Sequence, residues 1–179
     1  ALNFVINRFI EILGISILIA GSLLLISLVS FSPDDPNFIF PDSTEIKNLL
    51  GFRGSFTADI FFQSFGLIAL LIPFSLIFTG INIILSKKFF LIIESIFFTI
   101  LYILFGSLFF SIFYSNAFEL YINGNGGFIG KFFTTTFLNS LINFNSQISY
   151  YLMILLILGF FLISIQFKVN FFYMFVKKL

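Results

Sequence analysis

Cysteine, histidine and tryptophan are absent from this sequence, and charge is scarce. Without cysteine there are no disulfides and no thiolate metal sites. Without histidine the commonest zinc ligand and the commonest general base are missing too. Only 9% of the 179 residues are charged, against about 25% in a soluble domain. That is too little charge to clothe a globule of this size in water. The net charge of +1 gives no footing for nucleic-acid binding. What is plentiful is apolar surface: 59% of residues are hydrophobic, 32 of them phenylalanine, and the mean hydropathy is +1.13. The chain therefore reads as an integral membrane protein, with phenylalanine filling lipid-facing positions. It runs from Ala1 to a basic tail at Leu179, as a piece of something longer would.

Four stretches are long and apolar enough to cross a bilayer: residues 10–32, 60–86, 89–114 and 148–167. Lipid offers no partner to backbone amides, so these stretches are predicted as helices. The expected fold is all-α, a single four-span membrane domain over residues 1–179. The first stretch is long for a signal peptide and has no small-residue cleavage site before its end, so it is read as a retained span. Lysine and arginine orient the spans. Arg8, Lys87, Lys88, Lys168, Lys177 and Lys178 share one side, and Lys47, Arg53 and Lys131 the other. Both termini are expected in the cytoplasm.

The two halves repeat one layout. Gly51-Phe52-Arg53-Gly54 leads into an amphipathic stretch and the second span, and Gly127-Phe128-Ile129-Gly130 leads into another and the fourth. This predicts two helical hairpin-like halves in a parallel repeat, with short interfacial helices in the outer loops. The segment Ser30-Phe31-Ser32-Pro33-Asp34-Asp35-Pro36-Asn37 ends the first span. Proline cannot continue a helix, and aspartate in hydrocarbon costs about 2.5–3.5 kcal/mol. Read alone, it is a plain exit signal whose serine and aspartates cap a following turn.

Pro33, Asp35 and Pro36 of that exit, followed by Ala58, Asp59, Gln63, Gly66, Ala69 and Pro73 at the spacing A-D-x-x-x-Q-x-x-G-x-x-A-x-x-x-P, carry a resemblance. The chain resembles the four-span membrane domain of the FtsK/SpoIIIE septal DNA translocases over residues 10–167, most specifically over 30–73. Gly126-Gly127-Phe128-Ile129-Gly130 is similar to that family's glycine-rich second outer loop. Phe38, Phe40 and Phe52 stand where the family has a small or tryptophan-containing stretch. The resemblance implies a multi-pass protein of the bacterial inner membrane at the division septum. It implies membrane lipids and divisome membrane proteins as partners, and a homo-oligomer, hexameric through an ATP- and Mg-dependent DNA-pumping motor on the cytoplasmic side. That motor is not in this chain, which would therefore not be an enzyme, need no cofactor and bind no nucleic acid directly.

The nearest thing to a phosphate-binding loop, Asn125 to Phe132, lacks the first glycine and the final hydroxyl. No catalytic set or metal cluster can be assembled from so few polar residues. Glu94 is the one acid well inside a predicted span, Glu11 lying at the start of the first. It is either a proton or ion site or, about 9 Å along the helix from Lys88, a group that reaches headgroups or a lysine. Pro73 is expected to kink the second span, either shaping a partner groove or helping packing. Gln63 and Asp59 share a helix face and can pair. Gly14, Gly21, Ser22, Gly66, Gly80, Gly106 and Gly159 offer small surfaces for helix packing without a clean GxxxG. The tail Phe171 to Lys178 suits an anionic membrane surface, or begins a linker to the motor. Two other functions remain open: a small secondary transporter, and a stand-alone structural membrane protein.

Overall fold

The computed structural model describes residues 2–36, 45–115 and 123–167. Its elements are α1 (Leu2–Val29), α2 (Gly51–Phe65), a 3₁₀ segment (Gly66–Leu71), α3 (Ile72–Ser86), α4 (Phe90–Phe113), α5 (Gly127–Thr134), α6 (Phe137–Phe144) and α7 (Ser146–Ser164). Among the described residues there is no strand. Four helical runs are long and apolar enough to span a membrane: Phe4–Val29, Gly51–Ser86, Phe90–Phe113 and Ser146–Ser164. The protein is thus an all-α, four-span membrane protein. Asp42, Glu119, Lys168, Lys177, Lys178 and the aromatic tail, together with Phe38 and Phe40, lie outside the described residues.

The second run, at 36 residues, would measure about 54 Å as a straight helix, well beyond a hydrocarbon core of about 30 Å. It is broken at Gly66, whose φ of 72° and ψ of −152° only glycine takes easily. α2 therefore belongs to one end of the bundle, and the 3₁₀ segment with α3 makes the crossing. The break falls after Phe65, later than the start at Ile60 that charge alone suggests, because backbone geometry and not polarity sets it. Pro73 does not kink a continuous helix. It stands in the first turn of α3, where its missing N–H is no loss. The 3₁₀ segment before it carries the change of path.

Each half is an antiparallel pair, closed in its own way. On α1 and α3, Gly14 faces Gly80 and Ile84 while Gly21 faces Leu76 and Ile77. These glycines let the two backbones touch. At the same end, Lys87 and Arg8 both donate to the Glu11 carboxylate. α4 and α7 are instead held apart and keyed by rings. Phe105 meets Phe160 at 5.8 Å, Tyr102 meets Phe161 at 5.7 Å, and Phe109 meets Tyr150 at 5.3 Å between centroids. The Tyr114 and Tyr150 hydroxyls close this pair at 2.8 Å.

A buried polar ladder joins the halves. Ser75 Oγ lies 3.0 Å from Tyr102 Oη and 2.7 Å from Ser164 Oγ, tying α3 to α4 and α7. One turn on, Thr79 Oγ1 donates to Ser95 Oγ at 2.5 Å. Ile68 of the 3₁₀ segment sits on Gly106 of α4. In an apolar bundle such bonds set register, because an unpaired hydroxyl there has no water to turn to.

A Cβ on Gly80 would fall 2.7 Å from the Gly14 carbonyl oxygen, whereas nothing lies within 4 Å of one on Gly159. Gly80→Ala should therefore lower stability by about 1–3 kcal/mol, the cost of overpacking. Gly159→Ala should leave it unchanged or slightly raised. Unfolding in mixed micelles under rising SDS reads both; equal behaviour of the two variants contradicts the assigned α1–α3 seam.

Candidate functional site

The exit segment and the first part of the second-span motif, Ala58 to Gly66, meet at the end of the bundle remote from Lys87, while Ala69 and Pro73 lie further along the crossing. Two linked clamps form there, one in each half.

The first clamp centres on Asp35. The helix gives out at Val29, ahead of the prolines, and a turn closed by Asp35 N–H to Ser32 C=O at 3.2 Å swings the carboxylate inward. Asp35 is 3% exposed. Its Oδ1 accepts from the Lys47 backbone N–H at 2.8 Å and its Oδ2 from that of Asn48 at 2.9 Å. A carboxylate taking two amides is a strong, charge-assisted arrangement. The held Asn48 then works in turn. Its Nδ2 donates to the Ser27 and Ser30 carbonyls at 2.9 and 3.2 Å, which are orphan acceptors at the end of α1. Its Oδ1 accepts from Leu50 N–H at 3.1 Å, just before α2. Ser27 Oγ donates to Gly54 C=O at 2.6 Å, and Ser55 Oγ to Pro36 C=O at 3.0 Å. The exit segment is therefore more than a plain stop: it fastens α2 across the end of α1. Pro33 and Asp34 stay exposed. Asp34 pairs with Lys47 Nζ at 2.8 Å and holds that ammonium above its ordinary pKa range.

The second clamp fastens the other half to Gly66. Leu67 N–H donates to Asn125 C=O at 2.9 Å, and Asn125 Nδ2 donates to the Tyr114 carbonyl at the end of α4. Gly127, with φ 63°, abuts the Phe65–Gly66 backbone, and a side chain on Gly66 would strike Asn125. Ser107 Oγ adds a bond to Phe65 C=O at 2.8 Å. Gln63 reaches the same loop: its Oε1 accepts from Asn123 N–H and its C=O from Asn123 Nδ2, both at 3.2 Å. It also hydrogen-bonds Asp59, which is buried. Ala58 and Ala69 are fully buried in the core beside these contacts.

The short helices held by the two clamps start alike. α2 starts at Gly51 with φ 64° and α5 at Gly127 with φ 63°. In each, the following phenylalanine stacks on one four residues later. Phe52 and Phe56 are 6.3 Å apart at 23°, and Phe128 and Phe132 6.5 Å apart at 24°. Gly54 packs on Asn48 and Gly130 on Ser107 and Ser111. The parallel repeat expected from layout is thus a repeat of conformation. Gly126 and Gly130 are pressed on α4, so the loop resembling a phosphate cradle has its glycines committed to packing.

Glu94 stands apart, half-buried in α4 at the opposite end, lining a cleft with Lys88 and Gln166. Reading the sequence missed Asn48, Ser27, Asn123 and Asn125. Their one signal was position near a helix end, which they share with many other serines and asparagines of this sequence. Among the described residues no group of three metal-ligating side chains occurs.

A family model described as the 4TM region of DNA translocase FtsK/SpoIIIE matches residues 7–176. A protein named DNA translocase FtsK from Rickettsia bellii (strain RML369-C) is 34% identical over 82 residues, 44% of this chain and 11% of the relative. Its namesake from Rickettsia typhi (strain ATCC VR-144 / Wilmington) is 36% identical over 64 residues, 36% of this chain and 9% of the relative. The matched segments thus span about a tenth of the length of these relatives. No solved structure matches the chain.

Asp35→Asn turns one acceptor into a donor facing a backbone N–H, so it should cost about 1.5–3 kcal/mol, the range for bonds to a charged group. Asp34→Asn loses only an exposed pair and should cost far less. SDS titration of the two variants checks this; equal losses contradict the clamp.

Proposed function

The chain belongs to the 4TM-region family of the FtsK/SpoIIIE DNA translocases, and on that basis we propose that it tethers such a translocase at the division septum of the bacterial inner membrane. In this reading both termini are cytoplasmic, the clamped end faces outward, and its loops and exposed aromatic residues contact other divisome membrane proteins. The segment itself handles neither ATP nor DNA. Those tasks, with Mg and hexamer formation, belong to the family's motor.

The observation that carries this proposal is the family match across residues 7–176 together with an end built to be rigid. A tether that only needed to sit in lipid would not require Asp35, Asn48, Gln63 and Asn125 to lock α2 and α5 onto the span ends. A face held in fixed shape, with Phe52, Phe128 and Phe132 at least half exposed on it, suits recognition of protein or membrane surfaces. The transporter reading draws less support, because the break in the second run, at Gly66, is closed by contact with the Asn125 and Gly127 backbone.

A fluorescent fusion of this chain, expressed in dividing bacterial cells, should gather at mid-cell. Glu94→Gln should restore division as well as the native sequence does when joined to a functional motor. An even membrane distribution of the fusion contradicts the septal tether. Loss of complementation by Glu94→Gln would favour an ion path.

A further inference from the structure

At the end opposite the clamps, the last turn of α3, the first turns of α4 and the end of α7 enclose a cleft of about 700 Å³. Its lining is mixed in charge. Lys88 and Glu94 both border it, and neither has an ion-pair partner among the described residues. Gln166 is pinned by its Nε2, which donates to Leu91 C=O at 3.0 Å. Its Oε1 is left buried with no partner. Asn82 likewise spends its Nδ2 on Ile165 C=O at 3.2 Å, so its amide oxygen remains an acceptor. The walls thus bring a carboxylate and the Asn82 amide oxygen to the cleft, with the Gln166 oxygen buried in its wall, and set a single ammonium beside them.

We propose that this cleft binds the headgroup of an aminophospholipid, with a primary ammonium facing Glu94, Gln166 and Asn82 and the phosphate facing Lys88. Glu94 and Asn82 offer acceptors to a primary ammonium, and the Gln166 oxygen, buried without a donor, is costly enough to need one. A phosphate beside the ammonium answers Lys88. The occupant is a lipid because of depth. The cleft lies where three spans end, and its rim residues Leu85 and Phe167 are 76% and 44% exposed, as side chains meeting acyl chains would be. A quaternary choline headgroup has no N–H to give these oxygens. The proposal rests on the four-span fold and is independent of the septal role.

The test uses the full chain, purified in detergent and stripped of lipid. It is offered phosphatidylethanolamine, the N-methyl and N,N-dimethyl forms, phosphatidylcholine and phosphatidylglycerol one at a time, with bound lipid counted by native mass spectrometry. The ethanolamine lipid should be retained at least about tenfold better than the choline lipid, falling stepwise as methyls replace N–H. Glu94→Gln should bring the two to parity, and Gln166→Leu should narrow the gap. Equal retention of ethanolamine and choline lipids by the native chain overturns the proposal. So does equal retention of phosphatidylglycerol, or an undiminished preference in Glu94→Gln. The methylation series uses unaltered protein, so a variant that fails to fold cannot mask a negative result.

Discussion

One buried carboxylate organises the clamped end of the bundle. Asp35 accepts two consecutive backbone amides, of Lys47 and Asn48, and in doing so fixes Asn48 where its side chain can serve the open end of α1. The order of dependence follows from chemistry. The span end leaves carbonyls unpaired, one amide side chain satisfies two of them, and a charged acceptor holds that amide in place. Ser27 then fastens Gly54, so α2 crosses the end of α1 at a defined point. The break at Gly66, at the far end of α2, is fixed separately, by its own backbone conformation and by Asn125.

The second half uses the same plan with different atoms. A glycine of positive φ starts the short helix, a second glycine three residues on allows close approach, and an asparagine ties the loop to the end of the preceding span. The halves meet backbone to backbone at Gly66 and Gly127. Here glycine is required twice over, for conformation and for contact. Below this junction the halves diverge. Glycines bring α1 and α3 together, rings key α4 to α7, and hydroxyls of Ser75, Tyr102, Ser164, Thr79 and Ser95 set the register between them. The result is a bundle whose halves are joined at the Gly66–Gly127 contact and along one narrow polar ladder.

Much of this architecture was legible in the sequence, because hydrocarbon imposes so few options: long uncharged runs must be helices, and prolines with aspartates must end them. The repeat was legible through Gly51, Gly54, Gly127 and Gly130. What could not be read was partnership across the chain. Asp35 looked like a stop because its partners, Lys47 and Asn48, are backbone amides, which no residue type announces. Pro73 looked like a kink because its position in the run, and not the break at Gly66, was the visible cue. The serine and tyrosine ladder was hidden for a related reason: isolated hydroxyls in apolar segments carry no period.

The amides of Lys47 and Asn48 offer the most direct test of the whole account. Hydrogen–deuterium exchange of the protein in lipid nanodiscs, read at those two positions, should show protection comparable to the interior of α1, since both N–H groups are committed to a buried carboxylate. Exchange at the rate of an open loop would mean that Asp35 does not hold them, and the clamped end would not be the fixed structure described.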